Sequence, residues 1–454
     1  MLAVTFTDAA SDTLLFLTTT LHLIGCCYSL PFLNASAQTI HLRRVRSPGT
    51  DDLADALQLS YTIDMFGASY KLQLQQAVVA AADLQLSYMS PAGQLSRLAV
   101  SAAQRACHYR GTVTTCQPAT RRCYQGRAAL SRFAQGVRGV LKIGGEDILI
   151  EPLPETLLAR RMRFSSVHIA RRRLTSDSRG TDAGDEMEAD PQRFDVLDQL
   201  ANALHLHPLR ITPITVTPPD SLQVQVAALV DTPMLRKLAK VFADVNDQVT
   251  LVLAAYNAVN MLYDDASIGA MKVRLAVKRV HLDDSGSMPR SEKVTDYLSD
   301  LCRRYQRELL ARLGLARADW DLTTALTGLD VYADAADVTR DAAYRNLKGT
   351  ARKIFTVSGV SYGGGMCSVE KNCMVTEFAL MFGNIETIAH ETGHTLGMYH
   401  DGSGNRCDRR GNHIMSIQQP QRQRAGWSRC STDSLQHFVV NGHAHCLISK
   451  PPRD

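Results

Sequence analysis

Two histidines four residues apart, with a glutamate directly after the first, open the segment His390-Glu391-Thr392-Gly393-His394-Thr395-Leu396-Gly397-Met398-Tyr399-His400-Asp401. On a helix, His390 and His394 project from one face a turn apart, so their rings can share a single zinc ion. Glu391 then reaches water on that ion rather than the ion itself. Gly397 can adopt the left-handed conformation that stops a helix and folds the chain back. That turn lets His400 swing round as a third ligand. Three protein ligands leave a fourth position for water, which marks a catalytic zinc site rather than a closed structural one. The chemistry is hydrolysis: zinc acidifies its water and polarises a scissile carbonyl, while Glu391 takes the water's proton and passes it to the departing amine. Isolated histidines such as His281 and His437 are read as core or surface residues.

The elements that must hold this segment lie in an α/β region beginning near Leu222. Val224 to Val230 is an apolar strand ending at Asp231, and Asp247 to Tyr263 has apolar residues at helical spacing. Met271 to Leu282 sets Lys272, Arg274 and Lys278 against Val273, Leu275 and Val277, which predicts a half-buried strand. Val294, Tyr297, Leu298, Leu301, Tyr305 and Leu309 share one face of a long helix, and Leu322 to Leu329 is an apolar run of strand type. Gly359 to Met366 is strand-like and rich in glycine, so another backbone can approach it closely. Phe378 to Phe382 is expected to begin the helix that carries the histidines.

The first half has a different texture. From Gln38 to Arg173 short apolar stretches alternate with turns, a β-rich pattern, and this region closes on Arg160 to Arg163 and Arg171 to Arg173. Ser176 to Asp190 is polar, acidic and aperiodic, which predicts an exposed linker; with the basic tract beside it, the pair reads either as a place open to processing proteases or as two solvated charge runs. Before all of this, the apolar run Leu14 to Phe32 followed by Ala35-Ser36-Ala37 reads as a secretory signal peptide, although no Lys or Arg precedes it. The expected order is thus signal peptide 1–37, β-rich unit 38–173, linker 174–219 and α/β unit 220–454. No other stretch approaches the apolar length of a bilayer span, so no membrane anchor is expected. A formal net charge of +5 over 454 residues, without a nucleic-acid reading motif, gives no ground for a nucleic-acid partner.

The chain has 11 cysteines. Cys26 and Cys27 would leave with the signal peptide, Cys107, Cys116 and Cys123 lie in the β-rich unit, and Cys302, Cys367, Cys373, Cys407, Cys430 and Cys446 lie in the last third. The even set predicts a disulfide framework formed in an oxidising compartment, with fifteen pairings open to it. The odd set leaves one thiol over.

The pattern His-Glu-x-Gly-His-x-x-Gly-x-x-His-Asp resembles the adamalysin or reprolysin branch of the metzincins, which includes the ADAM and ADAMTS proteases and arthropod salivary enzymes. Ile414-Met415-Ser416 resembles the family's Met-turn, which would place Met415 beneath the zinc. Gly359 through Cys367 is similar to the edge strand on which substrate pairs by strand addition. Trp427-Ser428-Arg429-Cys430-Ser431 resembles the segment after the Met-turn. Cys107-His108-Tyr109-Arg110-Gly111-Thr112-Val113 and Ile150-Glu151-Pro152-Leu153-Pro154 resemble reprolysin prodomains. The resemblance implies a metzincin catalytic domain of mixed twisted sheet and long helices behind a β-rich prodomain. It also implies a secreted zymogen held latent by its own prodomain and acting on extracellular proteins. It implies the pairings Cys367–Cys446, Cys407–Cys430 and Cys302–Cys373. In this family a prodomain thiolate can occupy the open zinc position, which makes one of Cys107, Cys116 and Cys123 a candidate; the alternative is that all three serve structural or intermolecular bonds. The family's structural calcium uses a Glu, an Asp and an Asn, but the matching positions here are Gln225, Asp321 and Ser449, which argues against calcium.

Two other readings compete. A non-catalytic binding protein on a protease fold would need a lost Glu391 or histidine, and none is lost. A closed structural zinc site would need a fourth ligand near the motif, and none is apparent.

Overall fold

The computed structural model describes residues 37–44, 57–116, 122–152, 167–173, 220–334, 353–354, 358–380, 382–408, 412–416 and 426–448. The proposed signal peptide apart from Ala37, the linker 174–219, Arg160 to Arg163 and most of the loop between Ser416 and Gly426 fall outside these residues. The molecule is mixed α/β with a β-rich N-terminal half, as the sequence patterns lead one to expect.

In the N-terminal half, alternating strands build a nine-stranded antiparallel sheet. Its members are β1 (Ala37–His41), β2 (Arg43–Arg44), β3 (Gln58–Met65), β4 (Ala68–Gln76), β7 (His108–Cys116), β8 (Cys123–Phe133), β9 (Gly136–Ile143), β10 (Glu146–Pro152) and β11 (Val167–Arg173). The order across the sheet is β1-β11-β10-β9-β8-β7-β4-β3-β2. In β4, Tyr70, Leu72 and Leu74 point inward while Lys71, Gln73 and Gln75 face solvent, the period of two that fixes register wherever one face is buried. Arg171 to Arg173, expected to be part of an accessible processing site, instead lie in β11, paired with β10 and, at Arg171, with β1. A protease needs extended, unpaired backbone, and this stretch does not offer it.

Two strands leave that half. β5 (Ala80–Met89) and β6 (Leu95–Leu98) complete a seven-stranded sheet otherwise made by the C-terminal half. Its other strands are β12 (Ser221–Val230), β13 (Lys272–Asp283), β14 (Leu322–Thr327), β17 (Gly359–Ser361) and β18 (Cys373–Glu377), in the order β17-β18-β14-β12-β13-β5-β6. A two-stranded ribbon, β15 (Ala333–Asp334) with β16 (Lys353–Ile354), lies apart. β12, β14 and β18 run parallel and β17 runs antiparallel at the edge. The strand expected to be half-buried, β13, is covered on nearly its whole length, because β5 pairs along it and removes its outer edge from water. Lys278 is consequently buried and bonded to Asp83 and Asp319 rather than solvated.

Between the sheets runs the long helix Val245–Tyr263, opened by the Asp244 side chain accepting from the Asn246 N–H. Every residue from Gln248 to Tyr263 is buried, so the helix has no solvent face. Two asparagines tie it to its two neighbours. Asn257 donates to the carbonyls of Tyr109 and Leu130 in the N-terminal sheet, while Asn260 bonds both the carbonyl and the N–H of Leu275 in β13. The other predicted long helix is present as Val294–Asp300 and Gln306–Leu313, joined through a wider π turn at Leu301–Tyr305.

Candidate metal centre

The histidines sit at the end of the helix Ile385–Thr395. Phe378 to Phe382 are not part of it: Phe382 has φ +57°, and the chain turns there before the helix begins. At its other end Gly397 has φ +79°, its N–H donates to the His394 carbonyl at 2.9 Å and the Met398 N–H donates to the Gly393 carbonyl at 2.9 Å. These two bonds form a Schellman turn, which satisfies the last carbonyls and reverses the chain. A Cβ on Gly397 would also lie 2.7 Å from Phe438 Cδ2, so only glycine fits.

The turn delivers His400 to the other two histidines. All three rings are buried, and their ligand atoms lie within 4.8 Å of one another. His394 Nε2 is 2.9 Å from His390 Nε2 and 3.1 Å from His400 Nε2. The far nitrogens explain what the near ones can do. His390 Nδ1 faces the Ile414 carbonyl, and His394 Nδ1 faces the Met398 carbonyl at 2.8 Å. A carbonyl only accepts, so each Nδ1 carries the proton and each Nε2 turns a lone pair inward. Lone pairs so close repel unless a cation lies between them, and an all-imidazole set suits zinc. The donor set therefore fits the metal that the sequence motif implies.

Met415 is fully buried, and its sulfur lies where a Cβ on Gly393 would meet it at 3.0 Å, directly beneath the helix between the two ligands. The turn that carries it is fastened from several sides. The Ile414 N–H donates to the Gly426 carbonyl and the Asp401 N–H to the Met415 carbonyl, at 2.8 and 2.9 Å. The buried Asp401 carboxylate accepts from the hydroxyls of Ser416 and Ser428. Trp427 packs against Tyr263 at a tilt, with centroids 4.7 Å apart, and the Tyr263 hydroxyl donates to the Ala389 carbonyl beside His390. In the sequence Asp401, Ser416 and Ser428 are only letters of a motif. Their role as the fastening of one loop to another rests on side-chain contacts that spacing does not reveal.

Glu391 is buried next to the triad. The Ser361 hydroxyl on β17 lies 2.6 Å from its Oε2 and 3.1 Å from its main-chain oxygen. Strand and helix come this close because residue 359 is glycine: a Cβ there would sit 3.0 Å from Glu391 Cγ. Ser361 was not singled out by sequence, where it is one small residue in a glycine-rich run.

The cysteines divide cleanly. The structure joins Cys302–Cys373, Cys367–Cys446, Cys407–Cys430 and Cys116–Cys123. The last bond removes Cys116 and Cys123 as candidate thiolate ligands. Cys107 stays free, but it does not reach the histidines either. Its sulfur contacts His108 Nε2 at 3.5 Å and the Gln104 carbonyl, and burial pushes the thiol up to about 12, so it is protonated. Gln104 touches Asn246 at one end of the long helix, while Tyr263 at the other end touches the metal-site helix. At a rise of about 1.5 Å per residue that separation is about 25 Å. At the expected calcium positions, the Asp321 carboxylate accepts from the Gln225 N–H at 2.8 Å, and Ser449 lies outside the described residues.

Residues 335–451 match the model of the reprolysin (M12B) family of zinc metalloproteases. The human protein "A disintegrin and metalloproteinase with thrombospondin motifs 2" is 27% identical over 420 residues, 89% of this chain and 31% of the relative. The human proteins of the same description numbered 6 and 10 are 30% and 32% identical, each over 44% of this chain and 18% of their own length. The chain thus spans less than a third of the length of these relatives. Among the described residues four disulfides are present, and no described helix is long and apolar enough to cross a membrane.

Proposed function

We propose, from the reprolysin-type metzincin character of this chain, that it is a secreted endopeptidase that hydrolyses extracellular proteins and is made latent, with the N-terminal unit as its inhibitor. The observation that carries this reading is the convergence of three inward-facing Nε2 atoms, with Glu391 one residue from the first of them and bonded by Ser361. His390, His394 and His400 would hold zinc, which when bound supplies Lewis acidity and an acidified water. Glu391 accepts the proton of the attacking water and returns it to the leaving amine, so no covalent enzyme intermediate is formed. β17 is the last strand in the order of the sheet and lies next to Glu391, and a substrate strand laid antiparallel along it would present its carbonyl to the site.

The test uses the full chain and its Glu391→Ala variant, each cut between residues 173 and 220 and freed of the N-terminal unit with mild denaturant and refolding. Both should hold one zinc per chain by elemental analysis. The parent should cleave a denatured protein in a chelator-sensitive manner, and Glu391→Ala should be slower by at least about 10²-fold, the usual share of a general base. A folded parent without zinc, or a variant as active as the parent, would sink the reading.

A further inference from the structure

The contact between the two halves of the chain is a shared sheet and a shared core rather than a patch of touching surfaces. The Val277 N–H of β13 donates to the Val79 carbonyl at 2.8 Å, and the Asp284 N–H just past β13 donates to the Met89 carbonyl at 2.9 Å. Between them the register runs Arg279 against Gln85 to Asp283 against Met89. Val79, Ala80, Leu84 and Leu86 of the N-terminal half belong to the same buried cluster as the strands and long helix of the C-terminal half. Phe133 stacks on Phe242 at 5.8 Å, and the Arg138 guanidinium lies 4.9 Å above the Phe242 ring.

Charge is matched across the same boundary. Arg110 pairs with Asp264 at 3.1 Å, Arg127 with Asp265 at 3.3 Å, and Lys142 with Glu386 in the first turn of the metal-site helix. Lys278 runs the other way, from the C-terminal half to Asp83. Removing the N-terminal half would bare an unpaired strand edge along β13, one apolar side of the long helix and a buried lysine stripped of a partner. Each of these is a large cost, and each is avoided by staying together. None of the described disulfides crosses the boundary, and the contacts described between the halves are non-covalent.

We infer that the edge of β13 and the adjoining long helix form a docking surface whose occupant is the N-terminal unit, which stays bound as a second, non-covalent subunit after the chain is cut between residues 173 and 220. A cut alone therefore does not release it, and release needs a second event that unpairs β5 from β13. This rests on strand pairing and packing, and it stands or falls independently of the protease reading.

The experiment takes the full chain carrying Glu391→Ala, which silences self-cleavage, with a recognition sequence for a site-specific protease placed between Arg173 and Asp220. After complete cutting, judged on a denaturing gel, the sample is passed over a sizing column at low salt and at about 1 M NaCl, where charges are screened beyond about 3 Å. Both fragments should elute in one peak at both salts. Amide exchange across Lys272–Asp283 should stay within about twofold of the uncut chain. Two separate peaks at either salt overturn the inference. Co-elution with exchange in β13 faster by about tenfold or more also overturns it, because the fragments would then adhere without sharing the sheet.

Discussion

At the scale of single residues, the site depends on groups that hold the reacting ones. The Ser361 hydroxyl bonds the Glu391 carboxylate at 2.6 Å in a buried setting. A hydrogen bond to a charged group contributes about 1.5–3 kcal/mol, so Ser361→Ala should slow peptide hydrolysis by roughly tenfold or more. Zinc content should not change, and Ser361→Thr, which keeps the hydroxyl, should recover most of the rate. An alanine variant with the parent's rate would assign the serine a purely packing role. Asp401 acts one step further out, accepting from Ser416 and Ser428 on either side of the loop that follows Met415. Asp401→Asn keeps the shape but turns one acceptor into a donor, and should weaken zinc binding by about 10-fold in competition with a chelator. The candidate ligands and general base are legible from type and spacing, because a helix converts a spacing of four into a shared face, whereas Met415 is legible only through the resemblance of its segment to the family's Met-turn. Ser361 and Asp401 gave no comparable signal, since their partners lie 30 and 27 residues away in sequence and meet only in the folded chain.

At the scale of elements, the turn after the metal-site helix is the tightest constraint. Gly397→Ala combines a φ of +79° with a Cβ 2.7 Å from Phe438, so both backbone and packing oppose it. Strain of this kind costs about 1–3 kcal/mol, and the variant should melt lower and hold less zinc, because His400 hangs from that turn. Equal melting temperature and zinc content would show that the turn does not position His400. Cys302–Cys373 ties the π turn of one helix to β18 across 71 residues, and removing it should cost about 2–5 kcal/mol in denaturant unfolding. Element type was legible wherever a period ran uninterrupted, as in β4, β12 and the long helix. It was misread at Phe378 to Phe382, where apolar residues imitate a helix start and one positive φ breaks it. It was also misread at Arg171 to Arg173, where strand pairing hides a stretch whose composition reads as accessible.

At the scale of the whole molecule, burial between the halves carries a pH signature. His108 in β7 and His281 in β13 are both kept neutral by burial, which lowers each to about 4. In the unfolded chain an imidazole titrates near about 6.5. The folded protein therefore binds fewer protons than the unfolded one below that value, and stability present above about pH 6.5 is lost as pH falls towards about 4. Melting temperature should fall across this window, and the slope should flatten when both histidines are replaced by glutamine. A flat profile in the parent would show that these rings are not held neutral. The same boundary explains where β13 departs from a half-buried strand: Lys272 and Arg274 are exposed as their alternation leads one to expect, whereas from Val277 onward β5 lies alongside and Lys278 is buried.

The sequence by itself determined which residues make up the candidate metal centre and the mixed α/β class with a β-rich first half, because these follow from local periodicity and from residue types few other roles require. Tertiary structure alone decided that Cys116 bonds Cys123, that Cys107 lies about a helix length from the histidines, and that Ser361 and Asp401 support the site. It also decided that β5 and β6 complete the sheet of the other half. These are pairings between residues distant in the chain, chosen by which edges and faces would otherwise meet water, and no local pattern records that choice.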